Sequence, residues 1–355
     1  AYTEARSTGN GDWDSIDIMM RRSTDGGATF SPQRVVAHVT GTVERNPVAV
    51  ERKQGRSGDI TYNNPVAIAD TDGTVHFLFC LEYMRAFYMR STDDGVTFSA
   101  PVEITEAFDA FRPEYKWRVL ATGPGHGIQL TNGRLLVPVW LALGTGGNGH
   151  HPSVNATIYS DDHGATWRRG AIAVPDTPEF PDPNETTAAQ LANGSVMLNV
   201  RTQNPENLRT VVTSKNGAEH WSAPRLQRDL PDPICFAALA RFSTKKKGGK
   251  NRLLFVNPDN VTRADGKPLV SKDRTNLTVR LSYDEGKSWK VKRAVEPGLS
   301  GYADLGVLPD GTILCLYEKV VPVAGGPSRH DEMLARFNLE WLTEGKDSIH
   351  KRGTK

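Results

Sequence analysis

Ser23–Phe30 reads STDGGATF, and the same octet returns as STDDGVTF at Ser91–Phe98, SDDHGATW at Ser160–Trp167 and SYDEGKSW at Ser282–Trp289. A degraded copy, SKNGAEHW, occupies Ser214–Trp221. The first serines are 68, 69, 54 and 68 residues apart, and a recurring period decides architecture more strongly than local propensity does. The chemistry of the octet is that of a hairpin turn. Aspartate accepts backbone amide hydrogen bonds, glycine supplies a positive φ, and the terminal aromatic packs on the strand that follows. Asp25, Asp93, Asp162 and Asp284 are therefore turn staples rather than catalytic acids, although they are the most regular carboxylates in the chain.

Between the octets the chain runs in short apolar strands: Ile16 to Met20, Val75 to Phe79, Arg134 to Val139, Ser195 to Val200, Leu253 to Val256 and Thr312 to Leu316. Many follow Asp72-Gly73, Asn132-Gly133, Asn193-Gly194 or Asp310-Gly311, which are hairpin signals. Helical periodicity is almost absent outside Leu339 to Thr343. Four strands per unit of roughly 65 residues describe a propeller blade, so the fold class is all-β, in one closed ring. The 355 residues hold five such units and part of a sixth. Ala335 to Leu342 and the start of the chain are the candidates for closing the ring by strand exchange. The expected division is a single propeller over 1–344 and a basic tail over 345–355, ending in Lys351–Lys355 (KRGTK). Lys245–Lys250 (KKKGGK) reads as a solvated loop.

Composition narrows the function. There are 43 Lys and Arg against 41 Asp and Glu, a net charge of +2, which argues against a nucleic-acid sleeve. Hydrophobics at 38% suffice for a core, and 33 Gly with 22 Pro indicate many turns. No run reaches the roughly 18 apolar residues of a membrane span; the best, Leu135 to Leu143, is broken by Pro138. Cys80, Cys235 and Cys315 are odd in number and far apart, and read as buried thiols. No signal peptide is visible. Ala1 falls in AYTEAR, which reads as the end of a strand, so a preceding segment is expected.

The octets, together with EARSTGNGDWDSIDIMMRRSTDGG near the start, TGPGHGIQLTNGRLLVP from Thr122, PNETTAAQLANGSVMLNVR ending at Arg201, RTNLTVRLSYDEGKSW from Arg274 and SGYADLGVLPDGTILCLYE ending at Glu318, resemble the bacterial sialidase (neuraminidase) family with Asp-box (BNR) repeats. The resemblance implies a six-bladed propeller. It also implies a retaining exo-α-sialidase, a glycoside hydrolase that removes terminal sialic acids from glycans, glycoproteins or gangliosides by way of a tyrosine nucleophile. A sialoside carries a carboxylate on its anomeric carbon. Binding it calls for guanidinium forks, which hold a carboxylate in two places and stay protonated, and an anionic nucleophile would be repelled.

By this resemblance Arg201 and Arg274 anchor the substrate carboxylate, Tyr302 attacks, Glu185 takes its proton, and Asp12 serves as acid and then base. Asp14 is the alternative acid. Tyrosine is the recognised exception among glycosidase nucleophiles, and a phenol with a pKa near 10 needs such a base. The family's third arginine lies in an R-I-P-type strand upstream of the acid loop; that segment, and with it the first strand of the first blade, would precede Ala1, with Arg6 as a substitute. Trp117, Trp140 and Tyr83 could line substrate pockets but read first as packing. His126 lies in the Gly-rich GPGHG, which lacks the Lys-Ser/Thr of a phosphate loop, and His150, His151 and His163 show no metal-ligand spacing, so no metal and no cofactor are expected. A secreted or periplasmic location is expected from the family. Two other readings stay open: a non-catalytic sialoglycan-binding propeller, and a propeller glycosidase acting on another glycan.

Overall fold

The computed structural model describes residues 1–245, 249–260, 274–323, 325 and 328–349. Its strands form a β-propeller of antiparallel sheets that follow one another in chain order, except that Gly125–His126 pairs in parallel with the first strand of the second sheet. The first sheet holds Tyr2–Arg6, Ile16–Met20 and Arg34–Val35; the second is built on Tyr62–Ala69, Val75–Leu81 and Arg85–Ser91. Leu135–Gly146, His151–Ser160 and Arg168–Val174 form the body of the third. The fourth is Thr186–Gln190, Val196–Val200, Leu208–Ser214 and Arg225–Pro231. The fifth runs Ala238–Ser243, Arg252–Pro258, Thr275–Ser282, Val291–Val307, Ile313–Val321 and Arg329–Phe337.

Among the described residues five hydrogen-bonded sheets are found, not the six expected. The reason is one long strand. Val291–Val307 pairs with Thr275–Ser282 through Leu299 and with Ile313–Val321 from Ser300 onward, so a single ladder of six strands stands where two separate blades were expected. Strand exchange at closure is also not seen. Among the described residues Tyr2–Arg6 pairs only with Ile16–Met20, and Arg329–Phe337 pairs only with Ile313–Val321. First and last sheets meet instead through side chains: Thr3 donates to Glu332 at 2.9 Å, and Gly27 abuts Leu334.

The core lies between sheets, as face-to-face packing of sheets requires. One apolar cluster joins Ile18 to Phe77 and Phe79, the next Leu78 and Cys80 to Val137 and Leu141, the next Leu136 to Leu198, and the next Met197 to Leu253 and Phe255. Strands that are covered on both faces lose their alternation, and Val196–Val200 and Arg252–Pro258 are buried at every position. All three cysteines are free and buried.

The octets act as staples. Asp93 accepts from the Thr97 amide at 2.9 Å, the Thr97 hydroxyl at 2.6 Å and the Ser91 hydroxyl at 2.7 Å, and these donors hold its pKa down at about 2. Asp25, Asp162 and Asp284 repeat the pattern, and in the degraded copy Asn216 accepts from the amides of Ala218 and Glu219. The later four octets begin where the third strand of their unit ends, and the first follows Ile16–Met20. Loops before the first strand and after the second therefore gather at the opposite end of the ring.

Candidate active site

Glu185 and Arg201 illustrate that gathering. Glu185 precedes Thr186–Gln190 and Arg201 follows Val196–Val200, strands in register with Thr186 opposite Val200. One step further along the ladder, the Arg201 amide donates to the Glu185 carbonyl at 3.0 Å. Directly opposed residues in an antiparallel pair point to the same side. Arg201 Nη1 accordingly donates to Glu185 Oε2.

Tyr302 arrives from the fifth sheet. The register slips between Ser300 and Ala303, so Gly301 and Tyr302 form a bulge, a device that re-aims a side chain. A Cβ on Gly301 would lie 1.9 Å from Glu318 Oε2, so glycine is what lets Glu318 reach under the bulge, where the Tyr302 amide donates to it at 3.4 Å. The Tyr302 hydroxyl donates to Glu185 Oε1 and accepts from Arg201 Nη1 at 3.1 Å. Burial, then the Glu185 charge, pushes the phenol well above its ordinary pKa, while Arg201 and Arg274 pull it down. Burial works against the Arg201 guanidinium, yet the Glu185 charge outweighs it and the arginine stays firmly protonated.

Arg274 completes the cluster, its Cζ 5.3 Å from the Tyr302 ring centre. Its Nη2 donates to the Ile234 carbonyl at 2.6 Å. Ile234 has φ +55°, costly for a β-branched residue, and presents that carbonyl from the strained conformation. The turn is braced by Arg209, which is wholly buried, donates to the Cys235 carbonyl at 2.9 Å and to Asn199 Oδ1 at 2.6 Å, and pairs with Asp232 at 3.1 Å. Two donors remain. The Nε groups of Arg201 and Arg274 are buried without a hydrogen-bond partner among the described residues, a costly state in a closed interior and one that a carboxylate would relieve.

Asp12 stands at the rim of the same end. Arg6 Nη2 lies 3.4 Å from its Oδ1, Asn148 Nδ2 donates to Oδ2 at 3.0 Å, and His150 Nδ1 is 3.9 Å away. Asp14 is turned into its own loop, accepting from the Gly11 amide at 2.7 Å beneath Gly9. Asp12 and Tyr302 both act electrostatically on Arg6 and on Tyr83, which connects the rim acid to the phenol. Arg6 also donates to Glu4 at 3.1 Å, so its charge is shared between two acids.

An aromatic nest adjoins Asp12. The His150 ring centre lies 4.7 Å from Tyr83, 5.3 Å from Trp13 and 5.3 Å from Trp140. Burial lowers the His150 pKa to about 4, against the pull of Asp12. Trp140 and Tyr83 thus border the site, whereas Trp117 is a core residue bonded to the Phe108 carbonyl. Sequence reasoning left out Arg209, Asp232 and Ile234, and weighed His150 only as a metal ligand. An arginine inside the apolar strand LRTVV was the one signal available, since a charge on a covered strand must find a partner.

Among the described residues Asp70, Asp72 and His163 lie close enough to hold a metal ion. Asp70 is already engaged by His163 at 2.8 Å, His76 at 3.2 Å and Gln129 at 2.7 Å, and the group belongs to the octet end rather than the site. No helix among the described residues is long and apolar enough to cross a membrane.

Residues 48–315 match the family model of the BNR repeat-like domain. The sialidase of Micromonospora viridifaciens is 31% identical over 351 residues, covering 92% of this chain and 47% of that protein. The chain belongs to the bacterial sialidase family with BNR repeats. Another member of the family, the sialidase of Bacteroides fragilis (strain YCH46), is 28% identical over 333 residues, with 86% of this chain and 54% of that protein covered. The chain spans about half the length of these curated relatives. Among solved structures, the Hadza microbial sialidase Hz136 superposes with a TM-score of 0.73 at 24% identity, over 96% of this chain and 63% of that one. That likeness speaks for the fold alone.

Proposed function

We propose that the protein is a retaining exo-α-sialidase acting on sialylated glycans, glycoproteins or gangliosides outside the cytoplasm. The observation that carries this reading is the three-way contact of Tyr302, Glu185 and Arg201, groups up to 117 residues apart in sequence, beside two guanidinium Nε donors without partners among the described residues. In the proposed reaction Arg201 and Arg274 grip the substrate carboxylate. Glu185 takes the Tyr302 proton as the phenolic oxygen bonds to the anomeric carbon, and Asp12 protonates the departing oxygen. Asp12 then takes a proton from water, which displaces the tyrosine, and Glu185 returns the phenol's proton. Two displacements retain the anomeric configuration.

A neutral phenol suits this substrate. It reaches the anomeric carbon without repulsion from the neighbouring carboxylate, and Glu185 draws its charge only during reaction. Arg201 can stabilise the developing phenolate because it already donates to that oxygen at 3.1 Å. Tyr302→Phe is expected to lower turnover of a fluorogenic sialoside by orders of magnitude with the circular dichroism of the parent. Parent-rate cleavage by that variant would remove the nucleophile from the scheme. Proton NMR of the first product should show the α-anomer, and initial β-anomer would contradict retention.

A further inference from the structure

The strand Thr275–Ser282 carries Arg274 at one end and the octet Ser282–Trp289 at the other. Its 8 residues, at about 3.3 Å each, set the two ends roughly 25 Å apart. At the octet end the surface opens into a concavity of about 760 Å³ lined by Lys245, Lys250, Lys290, Lys292 and Lys346. Glu344 is the single acid in that lining among the described residues. A chain whose net charge is only +2 thus concentrates lysine at one place.

The walls are built rather than incidental. Tyr283 is 40% exposed, its hydroxyl is pinned to Asp347 at 2.6 Å, and Lys250 lies 5.6 Å from the centre of its ring. Asp347 is buried and paired with Arg252 at 2.7 Å and with Lys250 at 3.1 Å, so its charge is neutralised within the wall. Val291 and Leu342 add an apolar floor. Lys292 pairs with Asp259 at 2.9 Å and Lys346 with Glu344 at 3.4 Å, whereas Lys290 and Lys245 have no acidic partner among the described residues.

We propose that this concavity binds a polyanionic glycan, a sulfated or carboxylated polysaccharide, at a site separate from the one described above. An exposed aromatic face beside ammonium groups receives the apolar face of a sugar ring while its anionic substituents meet the lysines. Lysine supplies compact point charges with rotatable donors, which suit sulfate and carboxylate groups spaced along a flexible chain. A membrane plane does not enter a concavity, and a nucleic acid strand would call for a basic groove with several stacking platforms. The inference does not depend on catalysis.

The test is calorimetric titration with a heparin-derived hexasaccharide at low salt, on the parent and on a Lys290→Glu, Lys346→Glu variant. Binding by the parent is expected to weaken about tenfold or more as salt is raised fourfold, as multiple ion contacts require. The charge-reversal variant should bind at least about tenfold more weakly, while a Lys116→Glu, Lys215→Glu control, altered at exposed lysines outside the concavity, binds as the parent does. Turnover of a small fluorogenic sialoside should be the same in all three, which keeps this inference separable from the catalytic one. No binding by the parent, equal binding by the reversal variant, or tighter binding of a single-stranded DNA of matched charge would each overturn the proposal.

Discussion

Replacing Glu185 by glutamine keeps the shape of the central contact and removes its charge. Glu185 accepts from Tyr302 through one oxygen and from Arg201 through the other. A carboxamide accepts through one atom and donates through the other, so one of the two neighbours is left facing a donor. Loss of the base should lower turnover by about 10²–10⁴. Loss of a charged partner by the buried Arg201 should destabilise the fold by roughly 1–3 kcal/mol, read as a lower denaturant midpoint. The phenol provides an independent reading. Burial and the Glu185 charge both raise its pKa, so removing the charge must bring the tyrosinate absorbance in at lower pH than in the parent. Steady-state kinetics on a fluorogenic sialoside and an ultraviolet pH titration, with Tyr302→Phe to assign the band, measure both. Turnover within about threefold of the parent, or a phenol that titrates higher, would refute the reasoning.

Three other outcomes follow from the same geometry. Asp12→Asn should lower kcat about 10²-fold on glycosides with poor leaving groups and much less on an activated aryl sialoside, whereas Asp14→Asn should affect loop stability more than chemistry; a reversed pattern would exchange their roles. Gly301→Ala pushes a methyl group against Glu318 Oε2 and should reduce kcat by shifting the bulge that aims Tyr302, with a small change in thermal midpoint; unchanged kcat would show that the bulge tolerates the methyl. His150, with its pKa lowered to about 4 by burial, faces Asp12, His151, Glu185 and Arg201. Its stabilising contribution is complete above the unfolded value near 6.5 and is lost as pH falls toward 4, about 3 kcal/mol in all. Denaturant midpoints measured across that window should fall less steeply in His150→Asn, and an identical slope would exclude His150 as the source.

The octets made the turns and the ring legible because their chemistry is local: an aspartate, a glycine and an aromatic fix each hairpin without help from the rest of the chain. Glu185, Arg201, Arg274 and Tyr302 were legible through the motifs around them, and the structure brings all four to one end. Blade count was not. The count assumed separate units of roughly 65 residues, yet the backbone continues through Pro297-Gly298 and Ser300-Gly301 as one strand of 17 residues, with register slips that absorb the irregularity. Closure by strand exchange was expected and is not found among the described residues, since which edge strands meet is decided in space rather than by the local pattern. The brace of Arg209, Asp232 and Asn199 and the nest around His150 arise from contacts between separate strands and loops, and one inward arginine is their only trace in the sequence.

Covalent capture tests the central claim most directly. The protein should be incubated with a 2,3-difluorinated sialosyl fluoride, whose ring fluorine slows release of the sugar, then digested and mapped by mass spectrometry. A glycosyl adduct on the peptide that contains Tyr302, absent from the Tyr302→Phe variant, is the expected result. An adduct on another residue, or turnover of a sialoside with no adduct at any time, would contradict the account.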